Sequence, residues 1–205
     1  MSKSWQQRSP LVVLDEFLVA QEWASLLRFT LHSHHRFTHS DVLDAVGNDR
    51  NDQSYRRSQV LYELGPAHDM FADRIMAYLP HVLARLHMPI FPVSRFEIQL
   101  TATNDGQFFR QHKDDDSDTV RTRALTFVYY FYQEPKSFRG GALQLYDAEL
   151  DQGGNVTAGA SQIIHPTQNL IVFFPSDCFH EVLPVECPSR EFAESRFTVN
   201  GWLHR

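Results

Sequence analysis

Two histidines and an aspartate are the side chains of this sequence best suited to hold a metal ion. His112 and Asp114 are two positions apart, and residues i and i+2 of a β-strand point to the same side. His180 opens a second apolar segment, directly after a proline-containing turn. Two imidazoles and one carboxylate can bind Fe(II) on one face and leave three adjacent coordination positions open. An enzyme that activates O2 beside a co-substrate needs such open positions.

Each of these residues also has an ordinary structural explanation. A His-x-Asp triplet arises by chance, and beside Asp115 and Asp116 it could be a solvated surface group. His180 could be a hydrogen-bonded histidine of the core, because an imidazole without a partner is costly to bury. Zinc accepts the same three ligand types and supplies a bound water as nucleophile. A zinc-dependent hydrolase or a non-catalytic cupin-like binding protein is therefore the alternative function.

The C-terminal segment contains a candidate anion site. Strand alternation across Ser195–His204 puts Arg196, Thr198, Asn200 and Trp202 on one face and apolar residues on the other. An arginine that points into a barrel needs an anion, since an unpaired buried charge is very costly. Its planar fork fits a carboxylate, and the threonine could add a hydroxyl donor. An internal ion pair with Asp or Glu is the alternative explanation.

Length and composition indicate the kind of protein that carries these side chains. The chain has 205 residues, of which 42% are hydrophobic, and 19 Lys and Arg oppose 25 Asp and Glu, for a formal charge of −6. This favours one globular domain, and the acidic balance argues against a nucleic-acid partner.

The sequence also predicts the cellular compartment of the protein. No apolar run approaches the roughly 18 residues of a membrane span, and the first residues lack the apolar stretch of a secretory signal. The sequence has only two cysteines, Cys178 and Cys187. We therefore expect a cytoplasmic protein without a membrane partner. Its oligomeric state is left open.

The N-terminal half reads as a mixture of helix and strand. We expect a short strand at Leu11–Leu14, a helix near Gln21–Leu31, a polar loop over His32–Ser54 and a second helix from about Ala67. Pro80 should break or kink that second helix. The apolar stripe of the second helix is Phe71, Ile75, Tyr78, Val82 and Leu86.

From Phe96 onward the pattern is one of short strands. Turn residues separate most of these strands, and the spacing leaves no room for crossover helices, so we expect mainly antiparallel sheets in a sandwich or barrel. The expected strands are Phe96–Ala102, Gln107–His112, Thr122–Gln133, Ala142–Tyr146, Asn169–Phe174, Phe179–Leu183 and Ser195–His204. We expect one domain over 1–205, in which 1–95 is a supporting α/β layer and 96–205 is the catalytic core.

The order of these motifs resembles the Fe(II)/2-oxoglutarate oxygenases, most of all their prolyl 4-hydroxylase-like branch. The motifs that carry the resemblance are Gly106-Gln107-Phe108-Phe109-Arg110-Gln111-His112-Lys113-Asp114, Arg123-Ala124-Leu125-Thr126, Gly140-Gly141-Ala142-Leu143, His180 and Arg196-x-Thr198-x-Asn200-Gly201-Trp202. The resemblance implies a mainly β double-stranded β-helix (jelly roll) with supporting N-terminal helices. It implies that His112, Asp114 and His180 bind the iron, and that Arg196 with Thr198 holds the distal carboxylate of 2-oxoglutarate.

The resemblance also implies an activity. Enzymes of this kind use Fe(II), 2-oxoglutarate and O2, with ascorbate as a reductant, to hydroxylate an unactivated C–H bond, and they form succinate and CO2. An aspartate at 114 points to hydroxylation, because halogenating relatives have a small residue there. A prolyl or other amino-acid residue of a peptide or protein is the expected substrate, and a small amino-acid-like molecule is the other option.

The sequence departs from the branch at three points. Prolyl hydroxylases usually carry a lysine where Arg196 stands, and a tyrosine that often helps to bind the co-substrate is replaced by Thr103. An apparent insertion at Cys187–Glu194 makes Arg190 a competitor for the carboxylate. We prefer Arg196, because it lies on a strand with a clear inward face.

Three further groups of residues have open roles. One of the tyrosines of the long central strand could donate to 2-oxoglutarate, although a core position explains each of them. The loop Asp114–Arg121 is either a solvated acidic turn or a lid, and together with the loop His32–Asp52 it is expected to contact substrate. The tyrosines are Tyr129, Tyr130 and Tyr132, and a histidine cluster of no familiar spacing comprises His32, His34, His35 and His39.

Overall fold

The computed structural model describes residues 5–40, 42–43, 49–50 and 52–205. Two α-helices, α1 (Ala20–His32) and α2 (Pro66–Arg85), accompany a set of antiparallel strands. The strands are β1 (Gln6–Gln7), β2 (Val12–Leu14), β3 (Thr38–His39), β4 (Val42–Leu43), β5 (Asp49–Arg50), β6 (Arg56–Arg57), β7 (Gln59–Leu61), β8 (Arg95–Thr103), β9 (Phe108–His112), β10 (Arg123–Phe131), β11 (Arg139–Gly140), β12 (Leu143–Leu150), β13 (Val156–Ile164), β14 (Leu170–Pro175), β15 (His180–Val182), β16 (Val185–Glu186) and β17 (Arg196–His204).

Two sheets build the body of the protein. The larger sheet has the order β2-β14-β10-β17-β8-β7-β3, and the smaller has the order β1-β12-β15-β9-β6 with β13 paired to β12. Every pairing in them is antiparallel. Two facing antiparallel sheets with helices outside one of them confirm the expected jelly-roll class.

The alternation of β10 separates two apolar clusters. Phe127, Tyr129 and Phe131 pack on the helix side of the larger sheet. Val128 and Tyr130, the residues between them, belong to a second cluster together with residues of the smaller sheet. Period-two alternation of bulky residues therefore lets one strand serve both layers.

Helix α2 differs from its expected stripe at one position. Leu79 is buried against the large sheet, whereas Tyr78 is 41% exposed. The prediction that Tyr78 lies in the stripe is therefore wrong, because both residues fit a three-or-four-residue step and the sequence alone does not choose between them.

Pro80 does not end α2, which continues to Arg85. Pro80 and Met76, whose carbonyl loses its helical partner, are both exposed, so water can bond that carbonyl. The buried neighbours Leu79, Val82 and Leu83 hold the helix on the sheet across this point.

The sequence pattern did not predict strand β13 or the full length of β12. β13 forms a long hairpin with β12, which itself runs on to Leu150. Its central residues Thr157–Ala160 are small, so the hairpin lacks the bulky alternation by which strands are recognised.

The region expected to be a loop, His32–Ser54, also contains regular structure. It begins with the end of α1 and a 3-10 turn at His34–Arg36, and β3, β4 and β5 follow. β3 joins β7 in the larger sheet, so part of this region extends that sheet rather than covering it.

The two helices lack the features of membrane-spanning helices. Within the described ranges of the chain, neither α1 nor α2 has the length and apolarity that crossing a membrane requires.

Candidate metal centre

The fold brings the three candidate metal ligands together at one point of the smaller sheet. His112 ends β9 and His180 begins β15, and the two residues face each other directly across the antiparallel ladder. Asp114 follows two residues after His112. One potential ligand atom from each of the three side chains lies within 4.8 Å of the others.

Both imidazoles are fixed in one orientation by the backbone. The Nδ1–H of His112 donates to the carbonyl of Arg110 at 2.7 Å, and that of His180 donates to the carbonyl of Cys178 at 2.9 Å. A proton on Nδ1 leaves the lone pair on Nε2, and such hydrogen bonds orient metal-binding histidines. The Nε2 atoms lie 3.7 Å (His112) and 3.4 Å (His180) from the oxygens of Asp114.

A buried hydroxyl donates a hydrogen bond to the carboxylate of Asp114. The Thr126 hydroxyl donates to Oδ2 of Asp114 at 2.8 Å and lies 2.9 Å from the Ser176 hydroxyl. The backbone N–H of Asp114 donates to the Ser176 carbonyl at 3.0 Å, and Arg123 donates to the Asp114 carbonyl at 3.3 Å. The carboxylate is therefore oriented before any ligand arrives.

Burial and mutual electrostatics give these groups the protonation states that a metal requires. Burial, aided by the proximity of His180, lowers the pKa of His112 to about 3. Burial by itself raises the pKa of Asp114, but the two neighbouring imidazoles and Arg123 outweigh it and hold that pKa below its usual range. At neutral pH His112 is therefore neutral and Asp114 ionised, as a divalent cation needs.

Arg196 lies in the same cavity as this cluster. It is 2% exposed, and its guanidinium lies 5.0 Å from the ring centre of Tyr130. The cavity is also lined by Thr198 and Thr103, of which Thr103 faces Arg196 on the neighbouring strand. The predicted alternation of β17 thus holds, and Arg196 points inward.

Neither an internal ion pair nor Arg190 displaces Arg196 as the candidate anion-binding residue. Among the residues that the structure describes, none forms an ion pair with Arg196. Its competitor Arg190 has a side chain that is 79% exposed and pairs with Asp105. Arg190 is therefore a surface residue, whereas Arg196 is a buried cation.

Several buried polar atoms around Arg196 lack a partner. In the part of the chain that the structure covers, Arg196 Nε, Thr198 Oγ1 and Tyr130 Oη are buried without a hydrogen bond. Each such atom costs free energy unless a ligand satisfies it. Arg196 and Thr198 line one cavity and fit a carboxylate, with Tyr130 beside the guanidinium, and the His–Asp–His cluster in the same cavity fits Fe(II).

The other tyrosines lie away from this space. The Tyr129 hydroxyl donates to Asn169 on the helix side of the larger sheet, and the Tyr132 ring packs edge-on against Phe138. Burial raises the pKa of Tyr130 to about 12, so its hydroxyl stays protonated and can donate to an anion.

The histidine cluster does not belong to the metal centre, and Asp114 is the one residue of the loop Asp114–Arg121 that does, among the residues described. His34 stacks on Phe192 at 3.9 Å between ring centres, and His32 donates to the Arg28 carbonyl. Over the described ranges, His112, Asp114 and His180 form the one group of potential ligands close enough for a metal. Burial raises the pKa of the Tyr55 phenol, and the negative charge of Asp116, which follows β9, raises it further.

Sequence reasoning missed the residues that support the ligands. Thr126 and Ser176 hold Asp114, but Thr126 lies within the apolar strand β10 and Ser176 in the turn after β14, and neither hydroxyl has a recognisable signal in the sequence. Phe109 stacks on the His112 ring with 3.6 Å between ring centres. Gly141 packs against the stem of Arg196, and the Gly-Gly pair was the available signal.

The family model of the 2OG-Fe(II) oxygenase superfamily matches residues 98–204, just over half of the chain. An uncharacterised PKHD-type hydroxylase of Synechocystis sp. is 48% identical over 153 residues, which cover 74% of this chain and 50% of the relative. The chain thus spans about half the length of the curated relative that it matches.

Solved structures share the fold at low identity. A Pseudomonas putida prolyl-4-hydroxylase superposes with a TM-score of 0.68 at 19% identity, over 96% of this chain and 94% of that one. A Trichoplax adhaerens prolyl hydroxylase, in complex with a hypoxia inducible factor peptide fragment, has a TM-score of 0.64 at 16% identity, over 96% and 84% of the two chains. With the family model, they assign this chain to the 2OG-Fe(II) oxygenase superfamily, in its prolyl 4-hydroxylase-like fold.

Proposed function

We propose that the protein is an Fe(II)- and 2-oxoglutarate-dependent dioxygenase that hydroxylates an unactivated C–H bond of a prolyl or other amino-acid residue in a peptide or protein. Succinate and CO2 are the co-products. The observation that carries this proposal is a buried guanidinium, without an ion pair among the described residues, in the same cavity as a His–Asp–His cluster. A dicarboxylic acid that reaches both groups satisfies them together.

The residues divide the work between two ends of the cavity. His112, Asp114 and His180 hold Fe(II), while Arg196 binds the distal carboxylate of 2-oxoglutarate through its fork. Thr198 Oγ1 donates a further hydrogen bond to that carboxylate. The bound iron and co-substrate supply the oxidising chemistry, and the protein supplies orientation and a site shielded from water.

Tyr130 completes the proposed carboxylate site. Its protonated hydroxyl is buried without a hydrogen bond and lies beside Arg196. We assign the third donor to this tyrosine rather than to Tyr129 or Tyr132, whose polar groups bond or face elsewhere.

Hydrolysis by zinc and a purely binding role find no support in these features. Attack of a metal-bound water on a substrate needs no buried guanidinium elsewhere in the cavity, and the family match is to oxygenases. The peptide substrate rests on analogy, because one structural neighbour carries a bound peptide fragment.

Both cysteines are free thiols, which agrees with the proposed cytoplasmic location.

Succinate formation tests the proposal. Purified protein with Fe(II), 2-oxoglutarate, O2 and ascorbate, the reductant that keeps iron ferrous, should form succinate slowly without substrate. His112→Ala should abolish this turnover while circular dichroism shows an intact fold. Equal succinate formation by the wild type and this variant would exclude the proposed metal centre.

A further inference from the structure

The mouth of the active-site cavity carries a cluster of arginines and phenylalanines. Arg57 and Phe108 face each other across the β6–β9 ladder, and both line the cavity that holds the metal centre. Arg110 is two residues before His112 on the same strand. The whole chain has a formal charge of −6, so a local concentration of guanidinium groups here runs against the overall balance.

Two of these guanidinium groups flank one aromatic ring. Arg57 lies 5.7 Å and Arg110 lies 5.1 Å from the ring centre of Phe108. Cation–π contact offsets part of the repulsion between two like charges and fixes the planes of both groups. The ring therefore acts as a spacer that holds two exposed cations near each other.

The backbone fixes the same two side chains further. The Nε–H of Arg57 donates to the Gln53 carbonyl at 2.7 Å, and that of Arg110 donates to the next carbonyl, of Ser54, at 3.4 Å. Each anchor uses Nε and leaves the terminal nitrogens for another partner. Among the residues that the structure describes, neither arginine forms an ion pair.

A third guanidinium, that of Arg56, lies nearer the metal centre. It is 4.7 Å from the ring centre of Phe109, which stacks on His112. Arg56 and Arg57 both line the cavity, so guanidinium groups continue from its mouth toward the metal centre.

We propose that the substrate carries a carboxylate that binds between Arg57 and Arg110, while the carbon to be oxidised lies over the metal centre. This inference rests on the proposed function. At a strand rise of ~3.3 Å per residue, Phe108 lies roughly 13 Å along β9 from His112. An extended peptide spans that distance in about four residues, so the substrate is an acidic peptide with Glu or Asp three or four positions from the hydroxylated residue.

Binding of paired peptides tests this proposal. The probes are fluorescein-labelled nonapeptides with a central proline in an Ala-Ser background, each with one Glu at a scanned position, and the matched Gln series. Fluorescence anisotropy measures their dissociation constants for protein loaded with Mn(II) and 2-oxoglutarate. The Glu peptide should bind about five- to tenfold more tightly than its Gln partner at three or four residues from proline.

The variant Arg57→Gln/Arg110→Gln should remove this preference. Arg28→Gln/Arg85→Gln, which changes one exposed arginine on each helix, should retain it and controls for the loss of two positive charges. A peptide that ends at the same position, so that its terminal carboxylate replaces the Glu side chain, shows whether a side chain or a chain end is bound.

Two results would overturn the inference: equal binding of Glu and Gln peptides, or a Glu preference that survives in the double variant. The proposed function is judged separately, by succinate formation in the wild type without any peptide. If succinate forms and the peptides are not discriminated, the oxygenase assignment stands and the carboxylate site is wrong.

Discussion

Gly141 lies directly against the side chain of Arg196. A Cβ at position 141 would stand 2.6 Å from Arg196 Cδ, which is closer than nonbonded carbon atoms approach, and 3.1 Å from its Nε, which is a tight contact. Gly141 also has a φ of +65°, a conformation that side chains disfavour. The glycine therefore provides the space that the inward-pointing guanidinium occupies.

Gly141→Ala should displace the guanidinium and raise the KM for 2-oxoglutarate by about ten- to hundredfold, because small misplacements of binding groups are expensive. Steady-state succinate formation measures this effect. Gly154→Ala is the matched control: its φ is +81° and no atom lies within 4 Å of its added Cβ. It shares the backbone strain but should leave KM unchanged, and a similar rise in both variants would show that strain alone is responsible.

Arg196→Met should stabilise the protein in the absence of 2-oxoglutarate, because it replaces a buried, unpaired charge by an apolar chain of similar length. We expect the free energy of unfolding to rise by about 1 to 3 kcal/mol. The same variant should lose the increase in melting temperature that 2-oxoglutarate gives the wild type. A variant that is less stable and still responds to 2-oxoglutarate would refute the assigned role.

Glu97 should make the stability of the protein depend on pH. It accepts hydrogen bonds from Arg123 at 2.9 Å and from His204 at 2.9 Å. Burial raises its pKa, but Arg123 and His204 outweigh burial, so the pKa lies below the ordinary value of 4.5. A lowered folded-state pKa gives stability that is present above the ordinary pKa and is lost as pH falls through the folded value.

Glu97→Gln should therefore reduce the free energy of unfolding by about 1 to 2 kcal/mol at pH 7. The difference from the wild type should shrink as the pH falls below 4.5. Urea unfolding at a series of pH values measures it. Glu63→Gln, which changes a surface partner of Arg36, is the control, and an undiminished Glu97→Gln difference at low pH would speak against this account.

Phe109 should affect the affinity for the metal ion, because it contacts the ligand His112. Its ring stacks on the imidazole at an interplanar angle of 19°, so Phe109→Leu should let the imidazole tilt. We expect Mn(II) affinity to fall about tenfold, as for other residues that orient metal ligands, measured by isothermal titration calorimetry. Phe91→Leu, at a half-buried position on the helix-side core, should have no effect. Unchanged affinity in Phe109→Leu would mean that the backbone bond to Arg110 suffices.

Local patterns predicted the elements that carry the site better than they predicted the site itself. In β17, strict alternation separates Arg196, Thr198 and Asn200 from the apolar residues of the helix side. That inward face follows from the period of a strand. The position of His180 opposite His112 depends on how β15 pairs with β9. This pairing joins segments distant in sequence and has no local signal.

Two features that differ from the simplest sequence expectation, the unpredicted strand β13 and the continuation of α2 past Pro80, share a physical cause. β13 is built from small residues, so its stability comes from pairing with β12 rather than from its own pattern. Pro80 stays within α2 because buried leucines on either side hold the helix on the sheet. In both cases tertiary contacts override local preference.

The most direct test of the account is the thermodynamic coupling between metal and 2-oxoglutarate. Calorimetric titration of 2-oxoglutarate into the protein with and without Mn(II) measures it. A shared cavity predicts that Mn(II) raises the affinity for 2-oxoglutarate by about tenfold or more, that 2-oxoglutarate raises the Mn(II) affinity equally, and that Asp114→Ala and Arg196→Met each abolish the coupling. If 2-oxoglutarate binds with one affinity whether or not Mn(II) is present, the His–Asp–His cluster and Arg196 do not form one site.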